Sequence, residues 1–422
     1  GRLVQKKYLA FQELRSRDVC ALEIISQLEE IEQRRLPCDA EYIKDLCARL
    51  EGEVQQLVDG LCAFNPLRYA LLQNYLRKYA FYARMALMED DPNSEPPYVC
   101  SLGGALPEDL AGGKACTLSR IQSSCNLQIP PGCVLTTRAF ALFLHTNDLL
   151  PMIREQLARL GPQAGAVYQE VSRRIQEGIM QAEVPAAIQR AMDQTLLEQG
   201  LTHTPLAVRS SAVAEDVQAS FAGQYESLLH ISPDSWAQAY KSVLASKYSA
   251  HALHYRLSQG LTDMKTPMAV LIMPMLNPEV SGIMYTRRED QPDHMDIYMV
   301  QGEGGELAAG SRAQAWSTCI SSQHGLTLSG ESLVEEQTLK EVVAAGLTLD
   351  HTFASAQDVE WVIEKDRGLS ILQSRPVRFS SNSGPQDALP SSAKVLFQGQ
   401  WVSSGQVSGS IWHGGSAPAP ED

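Results

Sequence analysis

The apolar residues change their period along the chain, and that change divides it. Between residues 1 and 90 the spacing is helical. Ile43, Leu46, Leu50, Val54, Leu57 and Leu61 step by 3, 4, 4, 3 and 4, which stacks all six on one helix face. Asp39 stands where that helix needs a cap, and Asn65 followed by Pro66 marks the start of the next one. This next helix carries Leu71, Tyr75, Tyr79 and Tyr82 along one side. An earlier helix is expected from about Val4 to Glu32. Three helices with short connections make a small antiparallel bundle or hairpin. Such a unit is either a dimerisation or regulatory element, which leaves a homo-oligomer open, or a packing appendage.

A run of Asp, Pro, Asn and Ser at 89–99 reads as a linker. After it, short β-branched runs alternate with helical stretches. The runs are Gly132–Thr137, Leu206–Ser210, Met268–Met275, Gly282–Thr286, Asp296–Val300, Val359–Ile363 and Leu369–Gln373. Helical patterns fall around 138–160, 163–199 and 234–258. This texture predicts an α/β or α+β body in two lobes. Residues 380–393 read as a second linker, and a glycine-punctuated β pattern follows from Val395 to His413.

Composition narrows the function. Lys and Arg number 35 against 49 Asp and Glu, a net charge of −14. That argues against a general nucleic-acid binder, while leaving room for a local Arg cluster around a phosphate. The longest apolar run, Met268–Leu276, contains Pro274 and is too short to span a bilayer. No signal peptide is visible, and a start at Gly1 reads as a piece of a longer or processed chain. No two of the nine cysteines lie within four residues of each other, which excludes a CxxC site. Reduced thiols in a cytoplasmic protein are the expectation.

Three segments carry chemistry. In Leu110–Leu118, LAGGKACTL, two glycines precede Lys114; glycine lets a backbone approach a ligand, and the Lys can hold a phosphate. The P-loop spacing is absent. In 206–226 an apolar strand ends at Arg209, Ser210 and Ser211, and a small-residue loop around Gly223 follows. The planar guanidinium fork suits phosphate oxygens, and the loop is suited to lie over a phosphate chain. In 357–375 two strands flank Asp366-Arg367-Gly368. Alternation puts Asp358 and Glu360 on one face, and likewise Gln373 and Arg375. Carboxylate, amide and guanidinium at one spot suit a magnesium nucleotide.

In order and context these segments resemble the nucleotide-binding part of the phosphoenolpyruvate synthase and pyruvate phosphate dikinase family. The similarity covers residues 100–378. It runs through GGKACTL, IPPGCVLTTRAF (129–140), AVRSSAVAEDVQASFAGQYES (207–227), MAVLIMPMLNPEVSGIMYTR (268–287) and QDVEWVI to LQSRPV (357–377). The resemblance implies an α+β, two-lobed ATP-grasp domain over 100–378, preceded by the helical unit of 1–90. Residues 394–422, with GQWVSSGQVSGSIW, resemble the start of the family's β-rich swivelling phosphohistidine domain. None of the nine His residues stands in that domain's Thr-Ser-His-type context, so the acceptor His is expected beyond residue 422 or is missing.

Carried over by motif, Lys114 and Arg209 would contact the ATP phosphates, with Ser210 and Gly223 beside them. Glu360 and Gln373 would bind Mg²⁺, supported by Asp358. Arg375 would grip the terminal phosphates, with Arg287 nearby. Two positions depart from the family pattern. Met273 replaces a Gln near the adenine edge, and a thioether is a very weak hydrogen-bond partner. Gly305 replaces a Glu near the metal, with Glu303 and Glu306 displaced around it; Glu306 is the expected substitute.

The implied chemistry is attack by a His of the mobile domain on the β-phosphorus of ATP, leaving AMP. The γ-phosphate then goes to water or inorganic phosphate, and the phosphohistidine donates to an acceptor. Pyruvate is the leading acceptor, and a glucan or small-molecule hydroxyl is the alternative. Met273 and Gly305 keep a second reading open, a nucleotide-binding regulatory module without phosphoryl transfer.

Overall fold

A computed structural model describes residues 2–89, 91–162, 165, 167–213, 225–289, 291–308, 313–322 and 325–377. The chain divides into two compact units, Gly1–Pro376 and Val377–Asp422, and apart from Val377 the described residues belong to the first. The expected linker at 380–393 and the β segment at 394–422 lie outside the described residues.

Three helices open the chain, α1 (Arg2–Arg34), α2 (Ala40–Phe64) and α3 (Pro66–Ala86). The Asp39 carboxylate accepts from the Glu41 amide, and the Asn65 side chain accepts from that of Arg68, with Pro66 in the first turn. Both caps satisfy amides that a helix start leaves unpaired. α2 packs on both of its neighbours. Leu71, Tyr75, Tyr79 and Tyr82 share a side, as their spacing requires, and that side faces outward at 56–67% exposure.

The body follows with β1 (Val99–Ser101), α4 (Glu108–Cys125), β2 (Cys133–Leu135), α5 (Thr137–Thr146), α6 (Leu149–Leu157), α7 (Val167–Gln181), α8 (Ala186–Glu198), β3 (Leu206–Ala212) and β4 (Ser227–Ile231). Then come α9 (Trp236–Ser246), α10 (Ala250–Ser258), β5 (Met268–Pro274), β6 (Val280–Tyr285), β7 (His294–Gln301) and α11 (Gly305–Ala308). β8 (Ala315–Ser322), β9 (Gly325–Gly330), α12 (Glu336–Phe353), β10 (Gln357–Glu364) and β11 (Gly368–Pro376) complete it.

Two antiparallel sheets result, one ordered β1-β2-β5-β3-β4 and the other β11-β10-β6-β7-β8-β9. This is the α+β, two-lobed body expected from the sequence. β5 is apolar at every position because both of its faces are covered. Val270 and Ile272 join the core formed with the helices, including Phe143 and Tyr240. Ala269, Leu271 and Met273 join a second core with α4 and the six-stranded sheet. The chain crosses between the sheets at Met275–Glu279, where the Met275 amide donates to the Pro205 carbonyl at 2.7 Å. Among the described residues no helix is long and apolar enough to cross a membrane.

The helical unit meets the body through Asp39, whose amide donates to the Leu160 carbonyl at 3.0 Å. The Asp39 side chain is buried, near Asp263 and Arg256. Asp263 itself binds Lys247 at 2.7 Å, Arg256 at 2.5 Å and the Tyr248 hydroxyl at 3.1 Å. Burial would raise the Asp263 carboxyl, but Lys247 and Arg256 outweigh it and hold it well below the usual range.

Candidate functional site

The glycines before Lys114 lie inside a helix rather than in a loop. α4 begins at Glu108, and Gly112, at φ 71° and ψ 172°, breaks it. That backbone belongs to glycine alone. A Cβ at Gly112 would stand 1.6 Å from the Ser211 carbonyl oxygen, so the close approach of α4 to β3 also requires glycine. In an unbroken helix the Ala115 amide would donate to the Ala111 carbonyl. Here the Ser211 hydroxyl stands between them, accepting from Ala115 N at 3.1 Å and donating to Ala111 O at 2.8 Å. One residue earlier on β3, Ser210 receives the Lys114 ammonium at its carbonyl and at its hydroxyl, each at 3.2 Å. The break therefore points a helix start, Lys114 and the end of β3 at one place.

The second sheet supplies the opposite wall. β10 and β11 form the expected hairpin, with Gly368 at φ 71° in its turn. Asp358 lies opposite Arg375, and Glu360 opposite Gln373. The Arg375 guanidinium donates twice to Asp358 Oδ2, at 2.9 and 2.6 Å. Burial pushes the Asp358 carboxyl up, and Arg375 pulls against it. Tyr285 on β6 lies beside Asp358; burial first, then the Asp358 charge, raise its hydroxyl to about 12, so it stays protonated at neutral pH. Across the gap Arg209 Nη2 reaches Glu360 Oε2 at 3.3 Å.

Between the walls is a cleft of about 120 Å³, lined by Arg209, Glu360, Met273, Glu303, Trp361 and Leu372 among others. It has two chemically distinct ends. Arg209 and Glu360 are charged, while Met273 to Leu276 and Pro278 present apolar surface where the chain crosses between the sheets.

Of the site residues expected from the sequence, Arg209, Met273 and Glu360 line the cleft. Lys114 and Ser210 stand together beside Arg209, and Gln373, Asp358 and Arg375 sit on the adjoining strands. Arg287 is held elsewhere. Its guanidinium binds Asp350 of α12 through two nitrogens, and the Thr286 hydroxyl donates to the same carboxylate at 2.7 Å. Gly223 lies outside the described residues, as does the side chain of Glu306 in α11. Three further contributors are Gly112, Ser211 and His230, and their contacts are tertiary. Gly112 and Ser211 act through a contact about 100 residues apart, signalled only by the Gly-Gly and Ser-Ser pairs. His230 on β4 binds Glu303 at 3.2 Å, and nothing in the sequence links those two.

A probable phosphoenolpyruvate synthase of Methanocaldococcus jannaschii is 26% identical over 341 residues, covering 72% of this chain and 28% of that protein. A rifampicin phosphotransferase of Bacillus subtilis is 27% identical over 300 residues, covering 64% of this chain and 34% of that protein. The chain thus spans about a third of the length of these relatives. Among solved structures, D-alanyl-alanine synthetase A of Vibrio cholerae aligns at a TM-score of 0.26 and 13% identity, over 55% of this chain and 62% of that one. Residues 108–314 and 293–394 match the pyruvate phosphate dikinase AMP/ATP-binding domain, and the chain belongs to that family.

Proposed function

We propose that this chain is the ATP-binding part of a dikinase-type phosphotransferase. The observation that carries the reading is the Arg209–Glu360 contact at one end of the cleft, with Lys114 beside it. The apolar end suits a base, and the charged end suits phosphates. Lys114 and Arg209 bind the phosphate chain. Arg375, positioned by Asp358, completes the cationic set as the phosphates displace its partner.

The donor chemistry fits a magnesium ion. Glu360 and Gln373 face each other in register and offer hard oxygens. Asp358 fits less directly, because both Arg375 donors take one of its oxygens. Bound there, the ion would neutralise phosphate charge. The chain's own residues position the nucleotide and exclude water from the base. With few candidates for acid–base work in the cleft, catalysis rests on charge and alignment.

In the whole protein, a His of a swivelling domain attacks the β-phosphorus. The bond from that phosphorus to the oxygen bridging it to the α-phosphate breaks, and AMP departs with the electron pair. The γ-phosphoryl group then passes to water or inorganic phosphate. The phosphohistidine donates to pyruvate, or to a glucan or small-molecule hydroxyl. One observation favours a second reading, a regulatory nucleotide module: Gly305 has no side chain where the family places a carboxylate.

Calorimetric titration of ATP, with and without Mg²⁺, separates these readings from no nucleotide site at all. Saturable binding weakened by Arg375→Ala supports the cleft. No binding below millimolar ATP in the folded chain overturns it. Binding without ATP-dependent phosphorylation of a supplied swivelling domain favours the regulatory module.

A further inference from the structure

We infer that Glu303, held across the cleft mouth by His230, reads the sugar of the bound nucleotide. The inference rests on the nucleotide reading above. Glu303 and Glu360 are the two carboxylates among the residues lining the cleft. Glu360 is engaged by Arg209 at the charged end. Glu303 stands further along. Glu360 lies opposite Ile283, and Ser281, two residues back on the same strand, donates to the Gly302 carbonyl at 2.6 Å. Two to four strand residues separate the carboxylates, or roughly 7–13 Å. That places Glu303 beyond the phosphates.

Depth separates sugar from base. Met273 and Trp361, on the cleft's inner wall, are almost wholly buried, whereas the Glu303 side chain is half exposed. A flat apolar base fits the inner wall. Ribose hydroxyls, which keep one side in water, fit the mouth. A carboxylate accepts hydrogen bonds and donates none, so two neighbouring hydroxyls are its natural partners.

His230 gives an independent indication. It sits in β4 with φ at 56°, at the bulge where β4 carries one residue more than β3 between Leu228 and Ile231. A bulge re-aims a side chain, and this one directs His230 to Glu303. In the tautomer with a proton on Nε2 it donates to Glu303 Oε2, leaving Oε1 for the sugar. The pair also links the five-stranded sheet to the loop after β7, with both side chains more than half exposed at the mouth.

The test is a cycle between ligand and residue. ATP, 2′-deoxy-ATP and 3′-deoxy-ATP are titrated calorimetrically into the full chain, its Glu303→Ala variant and its His230→Ala variant. The wild-type chain should bind each deoxy form about tenfold more weakly than ATP. Glu303→Ala should bind ATP about tenfold more weakly and no longer distinguish the three. His230→Ala should lose part of the discrimination. If Glu303→Ala keeps the full wild-type ratio, or the wild-type chain shows none while binding ATP, the sugar assignment falls and the nucleotide cleft stands. If wild type binds no ATP, both fall.

Discussion

Arg209 Nη2 and Glu360 Oε2 lie 3.3 Å apart, one on each sheet, and close the charged end of the cleft. The pair has opposite needs once a nucleotide enters. Arg209 gains from a phosphate, whereas Glu360 is repelled by one unless a cation stands between them. Glu360→Gln keeps the shape and removes the charge. It should raise the Kd for ATP in the presence of Mg²⁺ about tenfold or more, while ATP alone binds as well as or better than to wild type. Calorimetry at fixed ATP with varied Mg²⁺ checks this, and an unchanged Mg²⁺ dependence would remove Glu360 from the site.

Gly112→Ala tests the break in α4. The added Cβ meets the Ser211 carbonyl oxygen at 1.6 Å on a backbone that alanine disfavours. Helix and strand must separate, at a cost of about 3 kcal/mol or more. Ser211→Ala should cost about 1–3 kcal/mol, because it strips both the Ala115 amide and the Ala111 carbonyl of their partner. Urea denaturation measures both variants. A Gly112→Ala chain as stable as wild type would contradict the close approach.

These two sites show what a linear reading can reach. The β10–β11 hairpin was legible because its pairing is local: the turn fixes the register, and alternation then sorts Asp358 and Glu360 to one face. The Asn65 cap was legible for the same reason. The Gly-Gly pair pointed to a ligand-approaching backbone, yet its place inside α4 depended on Ser211, a tertiary partner. α12 went unread. Its Ala-Ala-Gly stretch gives a weak helical signal, and Gly346 is there because Met284 and Met295 pack against it. The stripe from Leu71 to Tyr82 had a readable period, but period alone does not say whether a stripe turns inward.

Gly305→Glu restores the carboxylate that the family pattern leads one to expect. Nothing lies within 4 Å of a Cβ built at Gly305, so the side chain enters open space and folding should be unaffected. If a missing ligand limits the site, the variant should bind ATP several-fold more tightly in Mg²⁺ and no more tightly in its absence. A lower affinity in Mg²⁺ would mean that the cleft has no use for a third acidic group there.

Asp263 neutralises two buried cations, Lys247 and Arg256. Burial already lowers the Lys247 ammonium to about 8, with Asp263 holding it up. Asp263→Ala leaves both cations without their partner and should cost about 3–5 kcal/mol. Lys247→Met removes the more easily neutralised cation and leaves the Arg256–Asp263 pair intact, so it should cost much less. Thermal melts of the two variants side by side decide the matter. Equal losses would mean that packing rather than charge controls this core.

Asp39 gives a pH dependence whose sign follows from its surroundings. Burial raises its carboxyl from 3.8 to about 6; the Glu41 amide and Arg256 work against that, and Asp263 and Glu41 charges with it. Folding therefore favours the protonated form. The resulting stabilisation is complete below pH 3.8 and is lost as the pH rises through about 6. Asn cannot ionise, and it caps a helix as well as Asp does. Asp39→Asn should thus stabilise the chain at pH 7 by about 1–3 kcal/mol, and the difference should vanish near pH 4. Because Asp39 joins α2 to the body through Leu160, the gain should also appear as slower amide exchange at the start of α2. A variant less stable than wild type at pH 7 would show that attraction to Arg256 outweighs the cost of burying the charge.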